Sequence, residues 1–545
     1  MPDQTKLAGG VKTLQQEAKE KAVQNKAKEL DVPYVNLLTM PLNPDLAKVI
    51  PKEVAEAAGL AVFFQSGKKL RIAVVDLEEK AQALIEKLRK DGYWAEVSLA
   101  SEESIQAAHR IYFSKQYQKG EAVETDFKEE DLGSFAEEIA DIQELKAKIE
   151  AATSDAALKY IQVGAYKTHS SDIHFQPEEK TVLIRFRIDG VLKPVFEIAN
   201  KTYEGLIKEI KHLSHLKLNI INIPQDGQYS FLLNEHQINV RVSTLPTHYG
   251  EACVMRLLDP QKSAIPLEGL GFEGESLKNI QEAVQLTHGM ILVTGPTGSG
   301  KTTTLYTMLQ DIDTQAKKVI TLEDPIEYNL PGISQSQIDE EQEYDFASGL
   351  RAILRQDPNV IMVGEIRDLE TAETAAQASL TGHLVLSTLH TNSALESIPR
   401  LINMGVKGFI LAPSLDLIVA QRLVRKLCPD CMESKPISES EKSHIAEALE
   451  KIKAKGIEAP AMPTELKSAK GCDKCSHSGY KGQVAIAEVL RFDRSLRNMI
   501  LENKPMPDIY DYISKQCKML TIREDGVFKV INGLTTLDEV ERVAK

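Results

Sequence analysis

A glycine-rich segment near the middle of the chain combines residue types that bind phosphate groups. It runs from Gly295 to Thr302, reads Gly-Pro-Thr-Gly-Ser-Gly-Lys-Thr and fits the pattern G-x-x-x-x-G-K-[ST]. In such a loop the backbone N–H groups turn towards phosphate oxygens, the lysine reaches the β and γ phosphates, and the last hydroxyl binds Mg²⁺. We therefore expect Thr302 to be a metal ligand. The whole set expected to contact a nucleoside triphosphate is Gly295, Pro296, Thr297, Gly298, Ser299, Gly300, Lys301, Thr302 and Thr303.

The residues that flank this loop predict the elements that hold it. Met290–Thr294 is a short apolar run, which favours a buried strand, and Leu305, Met308 and Leu309 recur at helical spacing after the loop. A helix that begins at the loop adds the positive end of its dipole to the phosphate site. The alternative is a chance match in an ordinary turn between a strand and a helix, and the order strand, loop, helix argues against it.

Further apolar runs at 319–322, 360–363 and 384–387 are each followed at once by polar side chains. Strands that alternate with helices predict a mainly parallel sheet, whose carboxyl ends carry the ligand site. The polar residues in question are Glu323, Asp324 and Glu327 after the first run, Glu365 after the second and His390 after the third. Each acid alone could be a helix cap. Three strand ends beside one phosphate loop favour a shared site instead.

Phosphoryl transfer gives these acids distinct tasks, because one acidic group must hold Mg²⁺ and another must orient the attacking water. Glu365 follows Ile361-Met-Val-Gly and occupies the metal position, where many such enzymes have aspartate. We expect Glu323 and Asp324 to contact the nucleotide.

Four of the six cysteines form two C-x-x-C pairs, Cys428 with Cys431 and Cys472 with Cys475. Four thiolates in two turns suit a tetrahedral Zn²⁺ site, which would be structural because no coordination position stays open. The rival interpretation is a redox pair, and two pairs in a reducing compartment favour zinc. A Glu/Lys-rich helix over about residues 438–456 explains the long spacer between the pairs.

Several arginines precede the glycine loop in the chain. Alternation in Val182–Ile188 predicts a strand with Arg185 and Arg187 on one face. Arginines on a strand face are usually just exposed, and they matter for chemistry only if phosphate lies opposite. Arg187, Arg241 and Arg256 are the candidates that could reach phosphate from a second domain.

Composition limits the class of protein. The 545 residues are 42% hydrophobic and 26% charged, which is ordinary for globular domains, and the net charge of −14 argues against a nucleic-acid partner. No apolar run approaches the ~18 residues of a membrane span, and the N-terminus lacks an apolar signal core. We expect a cytoplasmic protein.

Changes in pattern along the chain predict its domains. An α/β docking or regulatory domain with a charged lead covers 1–120, and an acidic linker covers 121–150. A second α/β (PAS-like) domain spans 151–265, the nucleotide domain 266–425, the tetracysteine module 426–490 and a helical segment 491–545.

Taken together, these motifs resemble those of the secretion ATPases that serve type II secretion and type IV pilus assembly. The match comprises the glycine loop, Thr321-Leu-Glu-Asp-Pro-Ile-Glu327, Ile361-Met-Val-Gly-Glu365, the segment Thr381–Asn392, the tetracysteine module and Met519–Gly526. The resemblance implies an α/β fold with a RecA-like motor domain, the cofactors ATP, Mg²⁺ and Zn²⁺, and a homohexamer that hydrolyses ATP at subunit boundaries. It also implies docking on an inner-membrane platform protein, so that the motor is peripheral to the membrane and drives pilin or pseudopilin assembly.

Within the family pattern Glu327 matches the general base, Glu365 the metal-site glutamate, and His390 lies in the histidine motif. The chain departs from the pattern at Gln228, where many relatives have arginine. It also lacks the N-terminal Arg-Leu-Gly-x-x-Leu run that binds cyclic di-GMP in some relatives, so we do not expect that ligand. A retraction motor, a RecA-type motor that moves nucleic acid and a non-hydrolysing scaffold are the competing functions.

Overall fold

The computed structural model describes residues 19–30, 32–37, 46, 50, 52–66, 68–76, 79–90, 92–112, 124–125, 149, 152–233, 236–259, 265–339, 342–475 and 477–544. These residues divide into two compact units. The first comprises residues up to 134, 200–236 and 240–253, and the second comprises 135–199, 237–239 and 254–545. The start of the predicted charged lead and most of the predicted acidic linker lie outside the described residues.

The N-terminal part of the first unit is a small α/β fold. Its elements are α1 (Lys52–Ala57), β1 (Leu60–Ser66), β2 (Lys69–Val74), α2 (Glu79–Lys90), β3 (Trp94–Leu99), α3 (Glu102–Tyr112) and the short β4 (Glu124–Thr125). β2 pairs antiparallel with β1 and parallel with β3. Leu70, Ile72 and Val74 alternate inwards along β2, so one face of the sheet packs on the core.

The middle of the chain supplies elements to both units. They are α4 (Ser154–Lys167), β5 (Ser170–Pro177), β6 (Thr181–Ile188), β7 (Val191–Ala199), α5 (Asn200–Leu213), β8 (Gln225–Leu233), β9 (His236–Thr247) and β10 (Gly250–Leu258). In the second unit β5, β6 and β7 form an antiparallel meander, in which Asp172 of β5 lies opposite Arg187 of β6. The strand predicted over Val182–Ile188 is therefore present.

A seven-stranded sheet forms the motor part of the second unit. Its strands are β11 (Gly289–Thr294), β12 (Val319–Glu323), β13 (Ser334–Gln337), β14 (Val360–Val363), β15 (Leu384–Leu389), β16 (Leu415–Leu427) and β19 (Tyr480–Arg491). Their order is β13-β12-β14-β15-β11-β16-β19, and only β19 runs antiparallel to its neighbour. The mainly parallel sheet predicted from the apolar runs is confirmed.

Helices cover both faces of this sheet, and its inner strands are therefore buried on both sides. They are α6 (Leu267–Leu270), α7 (Gly274–Val284), α8 (Lys301–Gln310), α9 (Phe346–Ile353), α10 (Leu369–Leu380), α11 (Ala394–Asn403) and α12 (Gly408–Ser414). Two apolar clusters, one on each face, hold the layers together. Because β19 completes the sheet, the motor fold continues past the 266–425 range predicted from the sequence.

The cysteine-bearing segment is an insertion between β16 and β19. It contains β17 (Glu433–Pro436) and β18 (Glu465–Ser468), which pair antiparallel, and α13 (Glu439–Ala454), which connects them. Ser438 and Glu441 form a capping box that starts α13, as the sequence predicts for a helix in the spacer.

The chain ends in four helices, α14 (Arg494–Leu501), α15 (Met506–Gln516), α16 (Ile522–Ile531) and α17 (Leu537–Val543). Among the residues that the structure describes, none of the helices combines the length and apolar content needed to cross a membrane.

Candidate active site

The glycine loop lies between β11 and α8, as predicted. Gly295, Gly298 and Gly300 have φ of 147°, 78° and 84°, a backbone region that favours glycine. Gly295 also lies against β16, since an added Cβ would be 2.6 Å from the carbonyl oxygen of Gln421. Helix α8 begins at Lys301, directly after the loop. Its N-terminal N–H groups therefore face the space that the loop encloses.

Lys301 is folded back onto its own loop. Its Nζ donates to the carbonyl oxygens of Gly295 at 2.9 Å and Pro296 at 3.3 Å. Burial lowers the pKa of Lys301, while the negative charge of Glu365 acts in the opposite direction. The lysine and the predicted metal-site acid thus lie within electrostatic reach of each other.

Glu365 follows β14 and bonds to two basic side chains. Arg367 donates to one carboxylate oxygen, and His390 Nε2 lies 3.0 Å from the other. Burial opposes ionisation of Glu365, but these two partners outweigh it and hold its pKa below the ordinary value. The structure therefore brings together Glu365 and His390, which the sequence places after different strands. Arg367 was not predicted as a site residue, although it follows Glu365 closely in the chain. Its Nη2 also lies 3.8 Å from Asp324 Oδ2.

Glu323 is the last residue of β12, and Glu327 lies in the segment that follows. Glu323 is 3% exposed and accepts hydrogen bonds from Tyr306, from Thr321 and from Gln335. The structure thus buries Glu323 among these donors, and the nucleotide contact expected from the sequence stays a prediction. The backbone N–H of Glu327 lies 3.4 Å from the Tyr306 hydroxyl.

Two neighbouring residues of β16 bond to segments of the site, Gln421 to the glycine loop and α8, and Arg422 to the segment after β15. Gln421 donates to the carbonyl oxygen of Ser299 at 2.6 Å and accepts from the Thr304 hydroxyl at 2.9 Å. The neighbouring Arg422 donates to the carbonyl oxygen of Asn392 at 2.8 Å. No local motif marks Gln421 or Arg422, because they follow the loop by more than a hundred residues and lie within an ordinary apolar strand.

Two of the three candidate arginines converge on one carboxylate. Asp172 is 5% exposed, Arg256 Nε lies 2.9 Å from its Oδ1, and Arg187 Nε lies 3.2 Å from its Oδ2. Burial opposes ionisation of Asp172, and the two guanidinium groups and the Ser171 hydroxyl hold its pKa below the ordinary value. Arg241 belongs to the first unit.

The four predicted zinc ligands form one cluster. Sγ of Cys428 lies 4.0 Å from that of Cys472, and Sγ of Cys475 lies 3.8 Å from that of Cys431 and 3.7 Å from that of Cys472. Four sulfurs bound tetrahedrally at ~2.3 Å from Zn²⁺ are roughly 3.8 Å apart, so the donor set fits this metal. Backbone N–H groups of Cys472 and Gly479 donate to Cys475 Sγ, which favours the thiolate that a metal needs.

Comparison with known proteins supplies the family. The sequence profile described as "Type II/IV secretion system protein" matches residues 149–542, and the profile of the MshEN domain matches 30–118. The chain belongs to the type II/IV secretion system protein family. The resemblance inferred from the sequence motifs is therefore confirmed.

Similar proteins cover almost the whole chain. The type II secretion system protein E of Dickeya dadantii is 39% identical over 93% of this chain and 99% of its own length. The type IV pilus assembly ATPase PilB of Myxococcus xanthus is 37% identical over 94% of this chain and 89% of its own length. As a member of this ATPase family, the chain is an ATP-hydrolysing enzyme that uses ATP and Mg²⁺.

Solved structures agree on the fold. The ATPase DotB of Legionella pneumophila superposes with a TM-score of 0.52 at 22% identity, over 71% of this chain and 95% of that protein. The α/β motor fold expected from the sequence is confirmed.

Proposed function

We propose that this chain is the assembly motor of a type II secretion or type IV pilus system, in which ATP hydrolysis drives the addition of pilin or pseudopilin subunits. The observation that carries the proposal is the convergence of the loop lysine and Glu365, with its two basic partners, at the carboxyl ends of the parallel strands. Relatives named for both systems align with nearly the full chain.

Each residue at the loop then has a role. Lys301 leaves the carbonyl groups of its own loop and binds the β and γ phosphates, while Thr302 and Glu365 hold the metal. Mg²⁺, when bound, neutralises charge on the phosphates. His390 keeps Glu365 oriented through their 3.0 Å contact. Glu327 accepts the proton of the attacking water.

We infer that the enzyme works as a homohexamer in which positive groups reach the γ phosphate from outside the loop. Arg187, Arg256 and Arg241 are the candidates. In other phosphoryl-transfer enzymes such a group raises kcat ~10³- to 10⁵-fold. Asp172 keeps two of these arginines aligned by the bonds described above.

The tetracysteine cluster is proposed to bind one structural Zn²⁺ through Cys428, Cys431, Cys472 and Cys475. Zinc there would fix the start of β19, because Cys428 follows β16 and Cys475 precedes β19. It takes no part in the chemistry, since four thiolates leave no open coordination position.

The partner is proposed to be an inner-membrane platform protein, with the motor peripheral to the cytoplasmic face of that membrane. A motor that moves nucleic acid fits less well, because the net charge is −14. A retraction motor also fits less well, because relatives named for secretion and pilus assembly match the N-terminal domain and cysteine module too. Identification of the membrane protein that co-purifies with the full chain would distinguish a pilus from a pseudopilus system.

Two experiments test the proposal. Lys301→Ala should remove ATP turnover without lowering the unfolding temperature, whereas Lys318→Ala, an exposed lysine of the same domain, should leave turnover unchanged. Near-normal turnover in Lys301→Ala would overturn the loop assignment.

Arg241→Ala should lower turnover far more than ATP affinity, and mixing it with Lys301→Ala subunits should restore some activity if the arginine acts on a neighbouring subunit. Wild-type turnover in Arg241→Ala would exclude that arginine.

A further inference from the structure

The helix that follows the glycine loop contains a tyrosine whose hydroxyl faces the segment after β12. Tyr306 lies on α8, the helix that begins with Lys301, and it is fully buried. Its hydroxyl donates to Glu323 Oε2 and accepts from the backbone N–H of Glu327 at 3.4 Å. One oxygen atom therefore joins the phosphate-binding helix to the segment that carries Glu327.

The acceptor of this hydroxyl is fixed in place. Glu323 Oε1 accepts from the Thr321 hydroxyl at 2.5 Å and from Gln335 Nε2 at 3.1 Å. A move of the Glu323 carboxylate towards solvent would remove the acceptor of the buried Thr321 and Tyr306 hydroxyls, which costs free energy at each one. Glu323 therefore acts as a stationary anchor, and its position dictates the direction of the O–H bond of Tyr306.

The segment beyond Glu327 is also tied down, but by other groups. The ring of Tyr328 packs edge-to-face on that of Tyr306, with centroids 4.6 Å apart. Gln335 donates to the carbonyl oxygen of Tyr328 at 3.2 Å and accepts from the N–H of Leu330 at 2.7 Å. Burial and the charge of Glu323 raise the pKa of Tyr306, so its hydroxyl keeps the proton that it donates.

We propose that Tyr306 is a positioning residue for Glu327. Its hydroxyl couples the direction of the Glu327 carboxylate to the position of α8. The Tyr306 hydroxyl bonds to the backbone of Glu327, and Tyr306 lies on α8, the helix that binds phosphate through Lys301. The Glu327 backbone and α8 therefore move together. A displacement of about 1 Å in a reacting group can cost ~100-fold in rate. The inference rests on the proposed role of Glu327 as general base.

Tyr306→Phe tests the proposal because it removes the hydroxyl and keeps the buried ring. We expect kcat to fall by ~10- to 100-fold, because the base is misdirected, while ADP affinity and KM for ATP stay within about twofold of wild type. Tyr344→Phe is the matched control: it removes a hydroxyl that bonds to Ser336 at 2.7 Å, on β13 of the same sheet, and should leave kcat unchanged. If Tyr306→Phe does not fold, Glu323→Gln keeps the shape of the anchor and should show the same selective loss of kcat.

Parallel measurement of Glu327→Gln separates this inference from the proposed function. Wild-type turnover in Glu327→Gln would overturn the general-base role itself. Loss of turnover in Glu327→Gln, together with normal kcat in Tyr306→Phe, would overturn only the inference about Tyr306. A loss of ADP affinity equal to the loss of kcat would also overturn it, since that result indicates a purely structural tyrosine. In the double variant that combines Tyr306→Phe with Glu327→Gln, kcat should be no more than about twofold below that of Glu327→Gln alone. The reason is that the base on which Tyr306 acts is absent.

Discussion

Acidification should loosen the last helix of the chain through a single carboxylate. Glu539 on α17 is 3% exposed, and it accepts from Arg425 Nη2 at 2.5 Å, from the Arg425 N–H at 3.1 Å and from Arg542 Nη2 at 2.9 Å. Burial opposes ionisation, but the two guanidinium groups outweigh it and lower the pKa of Glu539 from 4.5 to about 2.

The size of the effect follows from this shift in pKa. At ~1.4 kcal/mol per pKa unit, the ionised carboxylate contributes up to ~3 kcal/mol to the attachment of α17. Because the pKa is depressed in the folded state, this contribution is complete above about pH 4.5 and is lost as the pH falls towards about 2.

Hydrogen exchange of the α17 amides, corrected for intrinsic rates, measures the local opening of this helix. Glu539→Gln removes the charge and keeps the side-chain size. At pH 7 we expect exchange to be ~100-fold faster in the variant, with a difference that shrinks as the pH is lowered through the range in which wild-type Glu539 becomes protonated. Glu541→Gln, on the same helix, alters a half-buried carboxylate 3.5 Å from His444 and should leave exchange unchanged. Wild-type exchange in Glu539→Gln, or a difference independent of pH, would refute the reasoning.

Three further outcomes are expected. Gly295→Ala should abolish ATP binding in calorimetric titration, because its φ is 147° and the added Cβ would lie 2.6 Å from the Gln421 carbonyl oxygen; normal affinity would contradict this view of the loop. Arg367→Ala should raise the pKa of Glu365 and move the acidic limb of the kcat–pH profile to higher pH, and an unmoved limb would exclude that link. Cys472→Ser should lower the zinc content from about one ion per chain and destabilise the start of β19, whereas full zinc content would remove Cys472 from the site.

The parts of the site that could be predicted from the sequence are those built from consecutive residues. β11, the glycine loop and α8 follow one another directly, so their order in the chain already specifies the phosphate site. Glu365 and His390 were also predictable, because both follow apolar strands of one parallel sheet and the carboxyl ends of such strands share an edge.

The same rule does not distinguish Glu323 from Glu365. Both acids follow apolar strands, but Glu323 faces Tyr306 and Gln335 in the interior, whereas Glu365 faces Arg367 and His390. These partners come from other elements, so the direction of each carboxylate depends on packing that a local pattern does not contain. The bonds from Arg187 and Arg256 to Asp172 were unpredictable for the same reason.

Strand β16 shows why distant residues complete the site. Successive side chains of a strand point to opposite faces. Gln421 bonds to the carbonyl oxygen of Ser299 in the glycine loop, Arg422 to that of Asn392 after β15, and Arg425 to Glu539 on α17. Three residues within one stretch of five therefore contact the loop, the segment after His390 and the last helix. β16 also pairs with both β11 and β19, so one strand connects the glycine loop to the end of the chain. The inserted cysteine module leaves this pairing intact, since it begins after β16 and ends before β19.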